Sequence, residues 1–224
     1  MKARFSLIIF VIAAFSLSGC TFIDKARRAD DLEAENANLK NRIAWLQKEK
    51  VKEVQNVSEE KNKEVSELER AKKELEESLK KEIGDYKAKL QMTERGLVIT
   101  FVSEIFFDSG KDKVKEDGKL TLSKVAEVLN KDVPNSQVAI EGHTDNDPIK
   151  HSGWKSNWEL SSSRALAVLH YLIDQCSANP QMLSANGYGE YHPVVTNDTP
   201  ENKRKNRRVE IVILPSKINK VKAQ

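Results

Sequence analysis

The stretch Val138-Ala139-Ile140-Glu141-Gly142-His143-Thr144-Asp145-Asn146 shows where a buried strand gives way to a polar loop. Its first three residues are apolar and two of them are β-branched, which is typical of a strand. Polar residues follow directly, so an acidic side chain, Asp145, comes where the strand ends. The segment therefore predicts a strand whose exit loop carries a carboxylate.

Two elements are predicted before this strand. Residues 97–102 are apolar and largely β-branched, so they predict another strand. A helix is predicted between the two strands and ends before Pro134, because its apolar residues recur at the spacing i, i+3, i+4, i+7. Those residues are Leu122, Val125, Ala126 and Leu129.

The segments after Asp145 predict a second long helix and two more strands. Ser156 and Glu159 have the spacing of a capping box. The apolar stripe of that helix comprises Ala165, Val168, Leu169, Leu172 and Cys176. A short strand over 184–188, a helix start at Thr199-Pro200 and a last strand over 209–214 follow. The order β-α-β-α-β-(short α)-β predicts an α+β head, a two-layer arrangement with helices on one face of the sheet.

Six motifs along residues 96–215 occur in the order of one known family. They are Phe106-Phe107-Asp108-Ser109-Gly110, Glu141 to Asn146, Asn157-Trp158-Glu159-Leu160-Ser161, Arg164-Ala165, Gly187-Tyr188-Gly189-Glu190 and Asn206-Arg207-Arg208-Val209-Glu210. This region resembles the OmpA-like peptidoglycan-binding domain, which implies a two-layer β-α-β-α-β-β head. The insert 147–156, with Asp147-Pro148-Ile149, is similar to the version in the flagellar stator protein MotB, which several outer-membrane lipoproteins share.

The resemblance implies a groove that binds the diaminopimelate end of the peptidoglycan stem peptide. That end carries an ammonium and a carboxylate on one carbon. By the resemblance Asp145 takes the ammonium and Arg164 takes the carboxylate, which a planar guanidinium can bond twice. The other matched groove positions are Asp108, Asn157, Leu160 and, at the basic end, Arg207 and Arg208. We expect no catalytic residue, no metal and no cofactor.

The residues alone leave other interpretations open. Asp145 could be a turn residue, and Arg164 could be a solvated helix residue. The basic run 203–208 could be a nucleic-acid or nuclear-import patch. The chain has 37 basic and 34 acidic residues, a balance that argues against a dedicated nucleic-acid binder. We therefore predict no nucleic-acid partner.

An enzymatic interpretation is weaker. His143, Asp145 and His151 could serve a metal-assisted wall amidase, but their spacing supplies neither a complete ligand set nor a nucleophile. We predict that the protein is not an enzyme. Trp154 and Trp158 flank the start of the second helix and could pack the insert or stack on glycan.

The N-terminus predicts an exported, lipid-anchored protein. Lys2 and Arg4 precede an apolar run that ends in Leu17-Ser18-Gly19-Cys20, as in a secretory signal. The last four residues resemble a bacterial lipobox, which implies a signal peptide over 1–19, a lipidated N-terminus over 20–23 and acylation of Cys20. Thr21 in place of Asp implies the outer membrane, facing the periplasm. The alternative is an uncleaved membrane-spanning anchor, because residues 5–23 carry no charge.

Residues 24–94 predict a long helical spacer, and residues 216–224 a basic tail. The spacer has no proline and one glycine, Gly84. Leucines at 32, 39 and 46 with Asn36 and Ile43 form one heptad block, and Val65, Leu68, Leu75, Leu79 and Tyr86 form a second, out of phase. We expect a homo-oligomeric coiled coil of about 105 Å, at about 1.5 Å per residue. A single solvated helix is the alternative.

These features together predict a non-enzymatic tether between the outer membrane and the peptidoglycan. The alternative is a flagellar-motor-associated or MotB-like periplasmic anchor, which the Asp147-Pro148-Ile149 insert favours. A proton-conducting stator is not predicted, because the first acidic residue after the apolar run, Asp24, lies outside it.

Overall fold

A computed structural model describes residues 2–150 and 152–215, with side chains described from residue 25 onward. The predicted signal peptide, the lipidated Cys20, His151 and the basic tail therefore lie outside the described side chains. Helix α1 (Lys2–Ser78) is followed by the short helix α2 (Lys80–Gly84). Within the part of the chain whose side chains are described, no helix is long and apolar enough to cross a membrane.

The chain divides into two compact units, Met1–Glu60 and Lys61–Gln224. In the first unit every described side chain is exposed. Leu32, Leu39, Ile43 and Leu46 remain 45% to 58% exposed, so no side chain among the described residues covers the first heptad block. The side-chain amide of Asn36 donates to the carbonyl of Leu32 at 2.9 Å.

In the second unit, the end of α1 is buried in the core of the head. Leu75 and Leu79 are fully buried, and Leu68 is only 4% exposed. Arg70 forms an ion pair with Asp132 at 2.9 Å, and Glu74 contacts Lys131 on the same head helix. The prediction that the second leucine block is a coiled-coil seam is therefore wrong, because the head's own apolar side chains already cover it.

The predicted helical spacer is also wrong beyond Gly84. Strand β1 (Ala88–Thr93) occupies the end of that segment and pairs antiparallel with β2 (Gly96–Val102). Tyr86 has a positive φ of 56°, which ends the helical path just before β1. Ala88 and Leu90 pack against the core, so burial on one face selects a strand here. The sheet thus begins before the predicted domain boundary at residue 96.

The remaining elements match the predicted order. They are α3 (Glu116–Asp132), β3 (Val138–His143), α4 (Asn157–Cys176), β4 (Leu183–Gly187), α5 (Pro200–Asn206) and β5 (Arg208–Ile213). Short 3₁₀ turns lie at Ser103–Ile105 and Pro180–Met182. The predicted caps are confirmed, since Ser156 accepts from the backbone N–H of Glu159 at 3.3 Å and Thr199 from that of Asn202 at 3.2 Å. The predicted α+β fold is confirmed.

The five strands form one sheet in the order β1-β2-β5-β3-β4. Only β3 and β4 run parallel, with α4 as the crossover between them. Helices α3 and α4 cover one face, where Leu97, Ile99, Ile140 and Ile211 are buried. This arrangement places the exit loop of β3 beside the start of α4.

Helix α4 lies very close to the sheet because two glycines face it. A Cβ on Gly142 would stand 2.1 Å from the backbone oxygen of Ser161, and one on Gly187 would stand 2.1 Å from the Ser162 hydroxyl. Any larger residue would push the helix away. The glycine in the segment 138–146 therefore brings Arg164 of α4 toward the end of β3.

The opposite face of the sheet lies away from α3 and α4. Val98, Ala139 and Val212 form a small apolar cluster there. Towards the end of β3 this face becomes charged and remains buried, with Glu141, His143, Arg208 and Glu210 all at most 8% exposed. One face of the sheet is therefore apolar and packed under α3 and α4, whereas the other carries buried charged residues.

Candidate functional site: a groove at the end of strand β3

A groove of about 1040 Å³ lies where β3 ends, between the loop after β2, the insert after β3 and the start of α4. Six of the seven predicted groove residues line it. They are Asp108, Asp145, Asn157, Leu160, Arg164 and Arg207. The structure thus brings together residues that lie up to a hundred positions apart in the chain.

Arg164 is a buried cation without a carboxylate partner. The residue is 5% exposed, and its guanidinium donates to the carbonyls of Lys111 at 2.9 Å and Asp108 at 3.1 Å. It also lies over the ring of Phe107, 5.2 Å from the centroid. Over residues 25–150 and 152–215, Arg164 takes part in no ion pair, although many other arginines and lysines there do.

The electrostatic environment of Arg164 is correspondingly unfavourable. Burial and the nearby charge of Arg207 lower the pKa of Arg164 to about 10, against a weaker opposing effect of Asp112 and Asp145. The group stays charged at neutral pH, so the groove holds a fixed, poorly compensated positive charge. Such a charge favours an anionic ligand.

Asp145 supplies the acidic side of the groove. One carboxylate oxygen pairs with Arg207 at 2.5 Å, and the other accepts from the backbone N–H of Asp147 at 3.2 Å. Burial alone would lower the pKa of Arg207, but its bonds to Asp145 and Glu104 raise it. Asp145 and Arg164 therefore provide one charge of each sign in the same groove.

Asn157 and Leu160 shape the groove from the first turn of α4. The Asn157 amide donates to the carbonyl of Asp147 at 3.0 Å and to the carboxylate of Glu190 at 2.6 Å. It thereby ties the insert to the loop after β4. Leu160 is 5% exposed and contributes an apolar wall.

Arg208 lies elsewhere, and here the structure differs from the prediction. Its guanidinium binds Glu210 at 2.6 Å and the carbonyls of Asn206 and His192, on the face of the sheet away from α4. The side chain of Arg208, the first residue of β5, lies on the same face as that of Glu210 two positions later, whereas Arg207 precedes the strand and lines the groove.

Sequence reasoning missed several charged residues at this site. Glu104 binds both Arg204 at 2.9 Å and Arg207 at 3.4 Å, and Lys203 binds Asp147 at 2.6 Å. Glu190 lies in the motif Gly187-Tyr188-Gly189-Glu190, and its contact with Asn157 was not predicted. No sequence signal singles out Glu104, because its partners lie about a hundred positions away.

The two tryptophans have different neighbours. The indole N–H of Trp154 donates to the carbonyl of Gly110 at 2.8 Å, which packs the insert onto the loop after β2. Trp158 is 46% exposed and stacks on Tyr191, with ring centroids 5.1 Å apart. His143 is not among the groove-lining residues, so the structure does not unite it with Asp145.

Comparison with known proteins identifies the family of the head domain. The OmpA family profile matches residues 106–207, the segment that contains every groove residue named above except Glu104. A Bacillus subtilis protein named only as uncharacterized protein YtxE is 33% identical over 218 residues, which cover 94% of this chain and 84% of that protein. The chain belongs to the OmpA family.

Other relatives match over shorter stretches. Motility protein B of Bacillus subtilis is 41% identical over 149 residues, 66% of this chain, and the chain spans 57% of its length. The probable lipoprotein YiaD of Escherichia coli is 34% identical over 119 residues, 53% of this chain and 52% of that protein. The solved cell wall anchor of the T6SS from Pseudomonas aeruginosa is 30% identical, with a TM-score of 0.58 over 63% of this chain and 96% of that one.

Proposed function

We propose that the protein is a non-enzymatic cell-wall anchor whose groove binds the diaminopimelate end of the peptidoglycan stem peptide. The observation that carries this proposal is the buried, unpaired guanidinium of Arg164 in a groove that also holds Asp145. A ligand with an ammonium and a carboxylate on one carbon presents a charge to each. Membership in the OmpA family supports the same ligand.

The carboxylate of the ligand would complete the coordination of Arg164. Two of its N–H groups already bond to backbone carbonyls, which fixes the plane of the guanidinium before the ligand arrives. Pre-organisation of this kind reduces the entropy lost on binding. A hydrogen bond between two ionised groups is roughly twice as strong as a neutral one.

The ammonium of the ligand would join the pair of Asp145 and Arg207. Arg207 contacts Glu104 as well, so its positive charge is shared between two carboxylates. Asp145 is 5% exposed, and a desolvated carboxylate interacts strongly with a second cation. This arrangement holds the Asp145 carboxylate in a fixed orientation.

The experiment that tests the ligand is co-sedimentation of the full-length protein, in detergent, with purified cell-wall sacculi. We expect binding that free diaminopimelate displaces and that Asp145→Ala weakens. Asp174→Ala removes an exposed aspartate on α4 and is the matched control, which should bind like the wild type. Binding that diaminopimelate fails to displace would contradict the proposed ligand.

The proposed membrane anchor is the lipid on Cys20, which would place the protein at the outer membrane, facing the periplasm. The lipobox resemblance supports it, and so does a relative named as a probable lipoprotein. Intact-mass measurement of the membrane-extracted protein tests it. We expect a chain that begins at Cys20 and carries acyl mass, whereas a mass that includes residues 1–19 would contradict lipidation.

A second candidate is a MotB-like anchoring protein associated with a flagellar motor. The identity of 41% to a motility protein over 66% of this chain favours it. The two candidates share the wall-binding groove and differ in the N-terminal anchor. The same mass measurement therefore separates them, because an uncleaved spanning segment fits the second candidate alone.

We also propose that residues 32–46 of α1 join two or more copies of the chain. Four apolar side chains at heptad spacing are about half exposed there, and Asn36 stands among them at a seam position. Sedimentation of the full-length protein, with Leu39→Asp and Ile43→Asp as disrupting changes, tests this. A wild-type protein that stays monomeric at high concentration would contradict it.

A further inference from the structure

The face of the sheet away from the helices carries a cluster that the wall-binding groove does not use. Glu141 on β3 stands directly opposite Glu210 on β5 in the antiparallel register. His143 follows Glu141 by two positions and points to the same face. One ligand atom from each of the three residues lies within 4.8 Å of the others, and all three are buried.

His143 is an unexplained member of this cluster. It is 4% exposed, and neither of its ring nitrogens has a hydrogen-bond partner. A buried imidazole normally satisfies at least one nitrogen, and an exception points to a missing water or ion. The ring stacks on Tyr188, with centroids 5.1 Å apart, which fixes its orientation beside the two carboxylates.

From this geometry we infer that Glu141, His143 and Glu210 form a binding site for a divalent transition cation, with zinc as the best fit. One imidazole and two carboxylates are common zinc ligands, and three protein ligands leave a position for water. Zinc ligands at about 2.1 Å from the ion stand about 3.4 Å apart, so side-chain rotations suffice to close the site.

Two arginines already contact the carboxylates of Glu141 and Glu210, and they differ in their exposure to solvent. Arg208 is 4% exposed and fully bonded, so its contact with Glu210 is part of the fold. The side chain of Arg95 is 50% exposed and bridges Glu141 and Glu210 from outside. The cation would displace Arg95 into solvent, so Arg95 acts as a competitor at the mouth of the site.

Because the cation would compete with Arg95 for the two carboxylates, removal of Arg95 should tighten zinc binding, a result that a misfolded variant would not give. Zinc alone is titrated into the full-length protein in detergent, against a chromophoric chelator, with the wild type, His143→Gln, Glu210→Gln and Arg95→Gln. We expect one zinc per chain in the wild type and several-fold tighter binding in Arg95→Gln. We expect His143→Gln to weaken binding by more than the roughly 10- to 100-fold that loss of an outer hydrogen-bond partner costs.

His170→Gln is the matched control, because His170 is exposed on α4 and outside the cluster. It should bind zinc like the wild type, and zinc should raise the Tm of both by the same amount. A wild-type chain without a stoichiometric zinc site would overturn the proposal. Unchanged affinity in His143→Gln would overturn it as well, since binding would then come from surface groups.

Discussion

Arg164 and Arg208 are almost equally buried, at 5% and 4% exposed, yet they lie on opposite sides of the sheet with opposite surroundings. Arg208 binds a buried carboxylate on its own strand, whereas Arg164 bonds only to backbone carbonyls. The comparison teaches that burial of a charge does not by itself indicate function. A fully paired cation belongs to the fold, and an unpaired one beside a groove is available to a ligand.

The largest loss of stability should come from substitution of Arg208, on the face of the sheet away from the groove. Arg208→Ala leaves Glu210 without its closest cation, opposite Glu141, and breaking a buried pair typically lowers the free energy of unfolding by about 3–5 kcal/mol. Denaturant unfolding measures it. Arg204→Ala removes a guanidinium from an exposed pair with Glu104 and should cost at most about 1 kcal/mol. Equal losses in the two variants would break the distinction between paired core and exposed surface.

Substitution of Arg164, in the groove, should weaken binding to sacculi. Arg164→Lys keeps the charge but loses the planar fork, and we expect sacculus binding to weaken by about 2–5 kcal/mol, which is about 30- to several-thousand-fold. Co-sedimentation measures it, alongside circular dichroism, because Arg164 also holds the loop at Asp108 and Lys111. Lys119→Arg, at a half-buried position on α3 outside the groove, is the control. Wild-type binding by a folded Arg164→Lys protein would remove Arg164 from the site.

The close approach of α4 to β3 should couple the stability of the sheet to binding in the groove. In Gly142→Ala the new Cβ would meet the backbone oxygen of Ser161, so the helix must shift. We expect a loss of about 1–3 kcal/mol in the free energy of unfolding, as for other overpacked sites, and weaker sacculus binding. Gly84→Ala is the control, since nothing lies within 4 Å of its added Cβ. A Gly142→Ala protein as stable as wild type would show that the helix can move freely.

The last effect concerns how the free energy of unfolding depends on pH, through His143 on the face of the sheet that carries Arg208. The folded-state pKa of His143 lies near 3, below its usual 6.5, so the unfolded chain binds the extra proton first. The contribution of the neutral His143 to the free energy of unfolding is thus complete above pH 6.5 and decreases as the pH is lowered towards 3. Between pH 7 and pH 5 the loss should be about 2 kcal/mol, measured with chelator present to keep the protein metal-free.

His143→Gln is the control for this pH dependence. The difference in slope between wild type and variant isolates His143 from the carboxylates that titrate in the same range. Parallel curves for the two proteins over pH 7 to pH 5 would show that His143 is not held neutral in the fold.

Much of the head could be predicted from sequence because its signals are local. Periodicity placed α3 and α4, and the Ser156 and Thr199 caps marked where two helices begin. The motif order identified the OmpA family, and with it six residues that line one groove. The site residues come from that resemblance rather than from spacing, since Asp108 and Arg207 are ninety-nine positions apart in the chain.

The sequence by itself determined that residues 32–78 form a helix with apolar side chains at heptad spacing, because that periodicity is a property of neighbouring residues. Only the tertiary structure decided what covers them. The block at Leu68, Leu75 and Leu79 is buried in the head, while the block at Leu32, Leu39 and Leu46 is exposed within this chain. Likewise, strand pairing decided that Arg208 lies on the face that carries Glu210 and away from the groove, because the face on which a side chain lies depends on the register of its strand. Local patterns fix which face is apolar, and long-range packing fixes its partner.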